Sequence, residues 1–304
     1  MSGPLRVGTR RSPLARAQTD SVVAELSRGA PRARFAVVPL DSSGDRDRGT
    51  EVSPDFTDTL DRALLDGELD LAVHSAKDLP VELDPRLALL GCPLRADPRD
   101  GVVAAPSVRA TSLPHGARVG SSSTRRRAQL LRWRPDLSVV AMRGNVDTRL
   151  RAVRDGRYQA AVLAVAGLAR LGRRAEIGWI LPAGRFVPAP AQGAIAVVGR
   201  ADDAAVASVV RPLDDPGTHA AILAERAFAA ALGGDCRLPL GALATVRGAR
   251  LSLVGEVLSP DGLITVRGRR RAPASDAAGA GWTLGAELRD RGAAAVMTAA
   301  PTAP

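Results

Sequence analysis

The chain has 304 residues, a formal net charge of +10, two cysteines and eight aromatic residues. Its composition, 45% apolar and 24% charged, excludes extended disorder. No apolar run approaches the roughly 20 residues of a membrane span, and two widely spaced cysteines give neither a disulfide framework nor a CxxC metal pair. Sparse aromatics also leave little to stack nucleic-acid bases on. The first residues, MSGPLRVGTRRSPL, lack the continuous apolar core of a signal peptide, so a soluble cytoplasmic protein of two or three domains is expected.

Taken in order, Leu5 to Gly8 reads as a buried strand, and Ser12 with Pro13 opens a helix to about Arg28. A second strand covers 34–40, and residues 41–55, rich in Ser, Gly, Asp and Arg, read as a loop. A helix at 56–66 leads to a strand ending at His74. This alternation predicts a parallel sheet. A second such unit starts near residue 100, with strands at 101–105, 118–120, 138–142 and 159–165. Its helices start near Ser123, after Asn145, and ahead of Arg170. Residues 182–193 form a crossing segment rich in Pro and Gly, and 194–198 returns as one more strand. The last third is different: a long helix at 215–232, three strand-like runs at 239–246, 250–257 and 262–269, a helix at 282–291 and a frayed tail. It predicts a small α+β domain.

In open α/β sheets the ligand lies beyond the carboxyl ends of the strands. Those ends carry Arg10 and Ser12, then His74, Lys77 and Asp78, then Ser123, Arg125 and Arg126, then Arg143 and Arg149. Helix N-termini at Ser12, Ser123 and Asn145 add a partial positive field. Lys77 is the sole lysine among 42 basic residues. So many cationic and hydroxyl donors around one acid suit a small molecule bearing several carboxylates or phosphates. Asp78 is either an N-cap or partner of Lys77, or a carboxylate that steadies a cationic intermediate. His74 reads as a packed strand-end residue, and three dispersed histidines predict no metal site. Cys92, within LALLGCPL, reads as a buried small side chain. Cys236, within LGGDCRLPLG, has glycines that leave room for a bulky group and an arginine that favours thiolate, which makes it a candidate for covalent attachment.

Together these segments resemble the porphobilinogen deaminase (hydroxymethylbilane synthase) family. The matching stretches are TRRSPLARAQ (9–18), LDLAVHSAKDLP (69–80), DPRDGVV (97–103), GSSSTRRRAQLLRWRPDL (120–137), MRGNVDTRL (142–150), AAVLAVAGLARLG (160–172), PAPAQGAIAV (188–197), ERAFAAALGGDCRLPLGA (225–242) and SPDG (259–262). The resemblance implies two α/β domains like type II periplasmic binding proteins, the first formed by 1–95 with 194–212 and the second by 99–190. It implies a third, α+β domain at 215–304 with a three-stranded antiparallel sheet. The implied cofactor is a dipyrromethane held by a thioether to Cys236, and the implied catalytic residue is Asp78.

By the same resemblance Lys77, Asp78, Ser123, Arg125, Arg126 and Arg143 bind the cofactor. Arg10, Ser12, Arg149 and Arg170 hold substrate carboxylates, and Gln192, in a hinge segment, belongs to the substrate-binding set as well. The implied reaction is a stepwise, deaminating polymerisation of four porphobilinogen units on the bound primer. Water then releases the linear tetrapyrrole for porphyrin and heme synthesis. A cytoplasmic monomer, with no nucleic-acid or membrane partner, goes with it. The chain departs from the family at SSGDRDRGTEVSPDF (42–56), where a lysine- and glycine-rich loop is usual and Ser53-Pro54 stand near the usual Lys-Gly. A paralogue of weakened or altered activity, or a non-catalytic small-anion-binding module, is the alternative expectation.

Overall fold

The computed structural model describes residues 3–41, 57–105, 108, 113–234 and 238–298. The expected loop at 42–56 and Cys236 therefore lie outside the described residues. Two compact units are present, one of residues 1–95 with 194–219, the other of 96–193 with 220–304.

In the first unit, strands β1 (Leu5–Arg10), β2 (Phe35–Leu40), β3 (Leu71–Ser75) and β4 (Leu87–Gly91) join the returning strand 195–200. Numbered along the chain, the second unit's sheet strands are β5 (Asp100–Ala104), β6 (Arg118–Gly120), β7 (Ser138–Val140), β8 (Ala160–Ala164) and β9 (Trp179–Ile180), so the returning strand is β10 (Ile195–Arg200). The two sheet orders are β2-β1-β3-β10-β4 and β7-β6-β8-β5-β9. The expected parallel pairing holds for β1 with β2 and β3 and for β6 with β7 and β8, but each sheet is mixed. In the first, β10 runs antiparallel to β3 and β4, pairing Ala196 with His74. In the second, β5 runs antiparallel to β8, pairing Asp100 with Ala164. A strand that enters its sheet from a distant crossing segment arrives without the helix that enforces parallel direction.

Helix α1 (Pro13–Gly29) starts where expected because the Ser12 hydroxyl accepts the Ala15 N–H at 3.2 Å and Pro13 needs no donor there. Its apolar stripe, Val22 and Leu26, packs on Leu5, Val7, Leu71 and Val73 of the sheet. Helices α2 (Asp58–Leu65), α3 (Thr124–Trp133), α4 (Val146–Arg154) and α5 (Val165–Arg170) fall close to their expected places. Strands β4 and β9 and helix α6 (Ala204–Val210) are additional.

The second unit also holds helix α7 (Pro216–Ala231) from Ala220 onward, and the antiparallel meander β11 (Leu240–Arg247), β12 (Arg250–Leu258), β13 (Thr265–Pro273). Helix α8 (Ala277–Asp290) begins five residues before the expected start, and α9 (Ala293–Thr298), with Ala293 and Met297 buried, occupies the first residues of the tail expected to fray, the rest of which lies outside the described residues. Phe228 of α7 is fully buried against the Gly255 backbone of β12, where a side chain would not fit. The turn after β12 seats on α3. Gly262, at φ +80°, presses so closely on the Ala128 carbonyl that no Cβ could be accommodated. The three expected sheets are thus present, while packing joins the meander and the second α/β sheet into one unit.

Candidate active site

In the first unit the carboxyl ends of β1 and β3 carry the expected residues. Arg10 ends β1, and Ser12 caps α1. Strand β3 runs directly into a single 3-10 turn, Ala76–Asp78. The turn is anchored at its start by the buried Ala76, whose N–H donates to the Ala194 carbonyl at 3.1 Å, and followed by the buried Leu79. That leaves Lys77 half-buried and Asp78 exposed. His74 is 4% exposed, its Nε2 3.9 Å from Asp61 Oδ1. Burial, helped by the charge of Arg10, lowers its pKa to about 4, so it is a neutral packed residue, as expected.

In the second unit Ser123 caps α3, its hydroxyl accepting the Arg126 N–H at 3.4 Å. The next turn places two arginines in the interior, Arg125 at 3% and Arg126 at 8% exposure. Between them sits Asp100, the first residue of β5 and 1% exposed. Its Oδ2 accepts from Arg125 at 2.9 Å, and its Oδ1 from Arg126 at 2.7 and 3.1 Å. These two guanidinium charges hold its carboxyl well below the usual carboxylate range despite complete burial. Arg125 lies in the interior, and the same terminal nitrogen that meets Asp100 bonds also to Gln129 Oε1 and the Val187 carbonyl, each at 2.9 Å.

Gln192 completes the cluster, donating to Asp100 Oδ1 at 2.9 Å and the Pro98 carbonyl at 2.7 Å while accepting from Arg126 at 3.2 Å. Its backbone is held by a buried acid. The Glu225 carboxylate accepts the N–H of Ala191 at 2.5 Å and of Ala244 at 2.7 Å, stabilising Ala191 at φ +59°, a conformation a non-glycine residue seldom adopts. Arg170 donates to the Gly193 carbonyl at 2.7 Å, and burial lowers its pKa to about 10, leaving it charged.

Arg149 bonds to the Gly144 carbonyl at 2.8 Å, and its pKa is lowered by burial and by the like charge of Arg126. Arg143 lies exposed just ahead of it. Arg125 and Arg126 therefore share the single carboxylate of Asp100, and Arg149 adds a third positive charge near Arg126. The neighbouring buried acid, Glu256, is occupied by Arg132 at 2.9 Å and Arg267 at 3.4 Å. An anion brought to Arg149 and Arg126 would relieve that excess.

Within the first unit the structure thus groups Arg10, Ser12, Lys77 and Asp78 at neighbouring strand ends, and within the second it joins Ser123, Arg125, Arg126 and Gln192 around Asp100, whereas Arg149 and Arg170 bond to the carbonyls of Gly144 and Gly193 and Arg143 lies exposed. Sequence reasoning missed Asp100, Gln129, Glu225 and Glu256. A signal was available: Glu225 and Glu256 interrupt apolar runs, ILAERAF and LVGEV, and Asp100 opens one, DGVV, where a buried carboxylate must be paired.

A family model described as "Porphobilinogen deaminase, dipyromethane cofactor binding domain" matches residues 5–208, and one for the C-terminal domain of porphobilinogen deaminase matches 219–290. Porphobilinogen deaminase of Roseiflexus castenholzii is 48% identical over 98% of this chain and 99% of its own length. That of Rubrobacter xylanophilus is 44% identical over 98% and 97%. Among solved structures, the Bordetella pertussis BvgS VFT2 domain double mutant aligns at TM-score 0.43 and 18% identity, over 69% of this chain and 85% of that one. A lipoprotein of the YaeC family from Enterococcus faecalis aligns at 0.43 and 12%, over 70% and 91%.

Proposed function

The chain belongs to the porphobilinogen deaminase family, and from that premise we propose that it is a hydroxymethylbilane synthase whose cationic cluster holds the carboxylates of its primer and substrate. It is a transferase acting on porphobilinogen, with a dipyrromethane cofactor. The observation that carries the reading is that Arg125 and Arg126 share one carboxylate, Asp100, while Arg149 adds a third positive charge near Arg126. Every pyrrole unit brings two carboxylates, and bidentate guanidiniums are suited to them. That donor set fits a dipyrromethane, which when bound supplies the nucleophilic pyrrole carbon and permanent tether for four successive additions.

The chain's own residues divide the work. Cys236 provides the thioether sulfur. Arg126, Arg143 and Arg149 bind carboxylates directly, with Ser123 donating beside them at the α3 N-terminus. Arg125, turned inward, neutralises Asp100 and so sets the position of Arg126. Lys77 holds the primer, Arg10, Ser12 and Arg170 hold the incoming side chains, and Gln192 ties the strained 191–193 segment to the cluster. Asp78 stabilises positive charge on the pyrrole nitrogens as ammonia leaves the substrate's aminomethyl carbon and the new carbon–carbon bond forms. The family resemblance supports a cytoplasmic monomer. Among the described residues no helix is long and apolar enough to cross a membrane.

The test is intact-mass analysis of freshly purified protein beside an assay of porphobilinogen consumption and ammonia release. The expected result is an adduct with the mass of two condensed porphobilinogen units, absent in Cys236→Ala, and turnover by the wild-type chain. An unmodified protein that binds small anions without releasing ammonia would establish the binding-module alternative instead.

A further inference from the structure

The first unit contains a second cluster of reactive side chains that the reaction does not use. Cys92 follows β4 directly, Asp214 follows the 3-10 turn Arg211–Leu213, and His219 lies in the first turn of α7. Their ligand atoms, the cysteine Sγ, a carboxylate oxygen and a ring nitrogen, all lie within 4.8 Å of one another. We propose that Cys92, Asp214 and His219 form a binding site for one thiophilic divalent cation of the zinc class, which staples the end of β4 to the segment that leads into α7.

The distances suit that assignment. Zinc bonds of about 2.0–2.3 Å at tetrahedral angles put ligand atoms about 3.3–3.6 Å apart. His219 Nδ1 and Asp214 Oδ1 are now 2.9 Å apart. Seating a cation therefore requires these two to part slightly and the thiol to approach, movements of about 1 Å or less at side-chain ends.

The frame is already fixed. The Cys92 N–H donates to Asp214 Oδ1 at 2.7 Å, the Asp215 N–H to the Cys92 carbonyl at 2.8 Å, and the Arg95 N–H to Thr218 Oγ1 at 3.0 Å. These bonds orient the carboxylate and hold the two segments together before any ion arrives, as the surroundings of good metal sites do.

Burial and charge agree. Cys92 is fully enclosed, while the side chains of Asp214 and His219 are 23–24% exposed. One edge thus remains open for ion entry and for a water as fourth ligand. A thiolate, a carboxylate and a neutral imidazole together offset a +2 cation, so loading leaves no net charge in a largely buried place. Sulfur, nitrogen and oxygen together select zinc, cobalt or a similar metal over magnesium or calcium, which take oxygen alone. The competing reading is an ordinary Asp214–His219 hydrogen bond beside a core thiol. It predicts no metal affinity.

The experiment titrates the full, metal-stripped protein with cobalt(II), reading thiolate-to-cobalt charge-transfer absorption, and then displaces it with zinc(II). Expected are a one-to-one charge-transfer band, zinc binding at about 1 µM or tighter and a zinc-dependent rise in melting temperature. Cys92→Ser should abolish the band and Cys236→Ser should retain it. His219→Ala, at the partly exposed edge of the cluster and so a safer change than one at buried Cys92, should keep the wild-type circular dichroism while weakening zinc binding about tenfold or more. Absence of the band, its loss in Cys236→Ser but not Cys92→Ser, or unchanged affinity in a folded His219→Ala protein would overturn the proposal.

Discussion

Replacing Asp100 by Asn isolates the charge at the centre of the arginine cluster while keeping its shape. In the wild type, Oδ2 accepts from Arg125 and Oδ1 from Arg126 and Gln192, at 2.7–3.1 Å, all at a site 1% exposed. Asparagine offers one acceptor, and its NH2 group must face a guanidinium that has only donors. The substitution therefore leaves two buried cations beside Arg149 with no balancing charge. Breaking a buried pair in this way costs about 3–5 kcal/mol. With a urea m-value of about 3 kcal/mol/M, the unfolding midpoint falls by about 1 M or more.

The assay is urea unfolding at neutral pH, read by circular dichroism, with Asp84→Asn as the comparison. Asp84 makes an equally short pair with Arg86, but at the surface, and its loss should leave the midpoint where it is. In surviving folded Asp100→Asn protein, KM for porphobilinogen should rise, because Arg126 loses its anchor. A midpoint shift below about 0.3 M, worth under about 1 kcal/mol, would mean that Asp100 does not balance buried charge. The pH dependence has a definite sign. The folded-state pKa of Asp100 is depressed, so its contribution is complete above the ordinary carboxylate range near pH 4 and declines only as pH falls below it.

His74 acts in a higher window. Its folded pKa is lowered from 6.5 to about 4, so the stability from keeping it neutral is present above pH 6.5 and is lost between 6.5 and 4. The full loss is about 3 kcal/mol, and folded His74→Gln should lack this part of the pH profile in urea titrations. Asp78→Ala, an exposed position, should leave the melting temperature within a degree or two and reduce porphobilinogen turnover at least about a hundredfold; near-normal turnover would remove Asp78 from its role. Gly262→Ala must move the turn off the Ala128 carbonyl and strain a positive φ, so a loss of about 2 kcal/mol or more is expected in the same unfolding assay.

Much of the architecture was legible locally. Ser12-Pro13 before an apolar stripe, Ser123 before α3 and Asn145 before α4 mark helix starts, since each cap is made by a residue's own hydroxyl or amide within three positions. The strands of both α/β sheets stand out as short apolar runs for the same local reason. Strand direction did not: the antiparallel placement of β10 and β5 depends on where the chain re-enters a sheet, which spans far more than any window of residues. The short edges β4 and β9 were equally silent, because pairing, and not their own composition, makes them strands.

The functional residues divide along the same line. Composition and position at strand ends sufficed to nominate Asp78, Lys77, Arg126 and Arg149, because a cationic, carboxylate-binding chemistry is written in residue type. Arg125 shows the limit. It is adjacent to Arg126 and chemically identical, yet helical geometry turns it inward onto Asp100, 25 residues away. The union of Cys92 with Asp214 and His219, 122 and 127 positions distant, was equally invisible. A sequence carries local preference and charge in full, but long-range burial pairs side chains through the path of the whole backbone, and only the folded chain fixes that path.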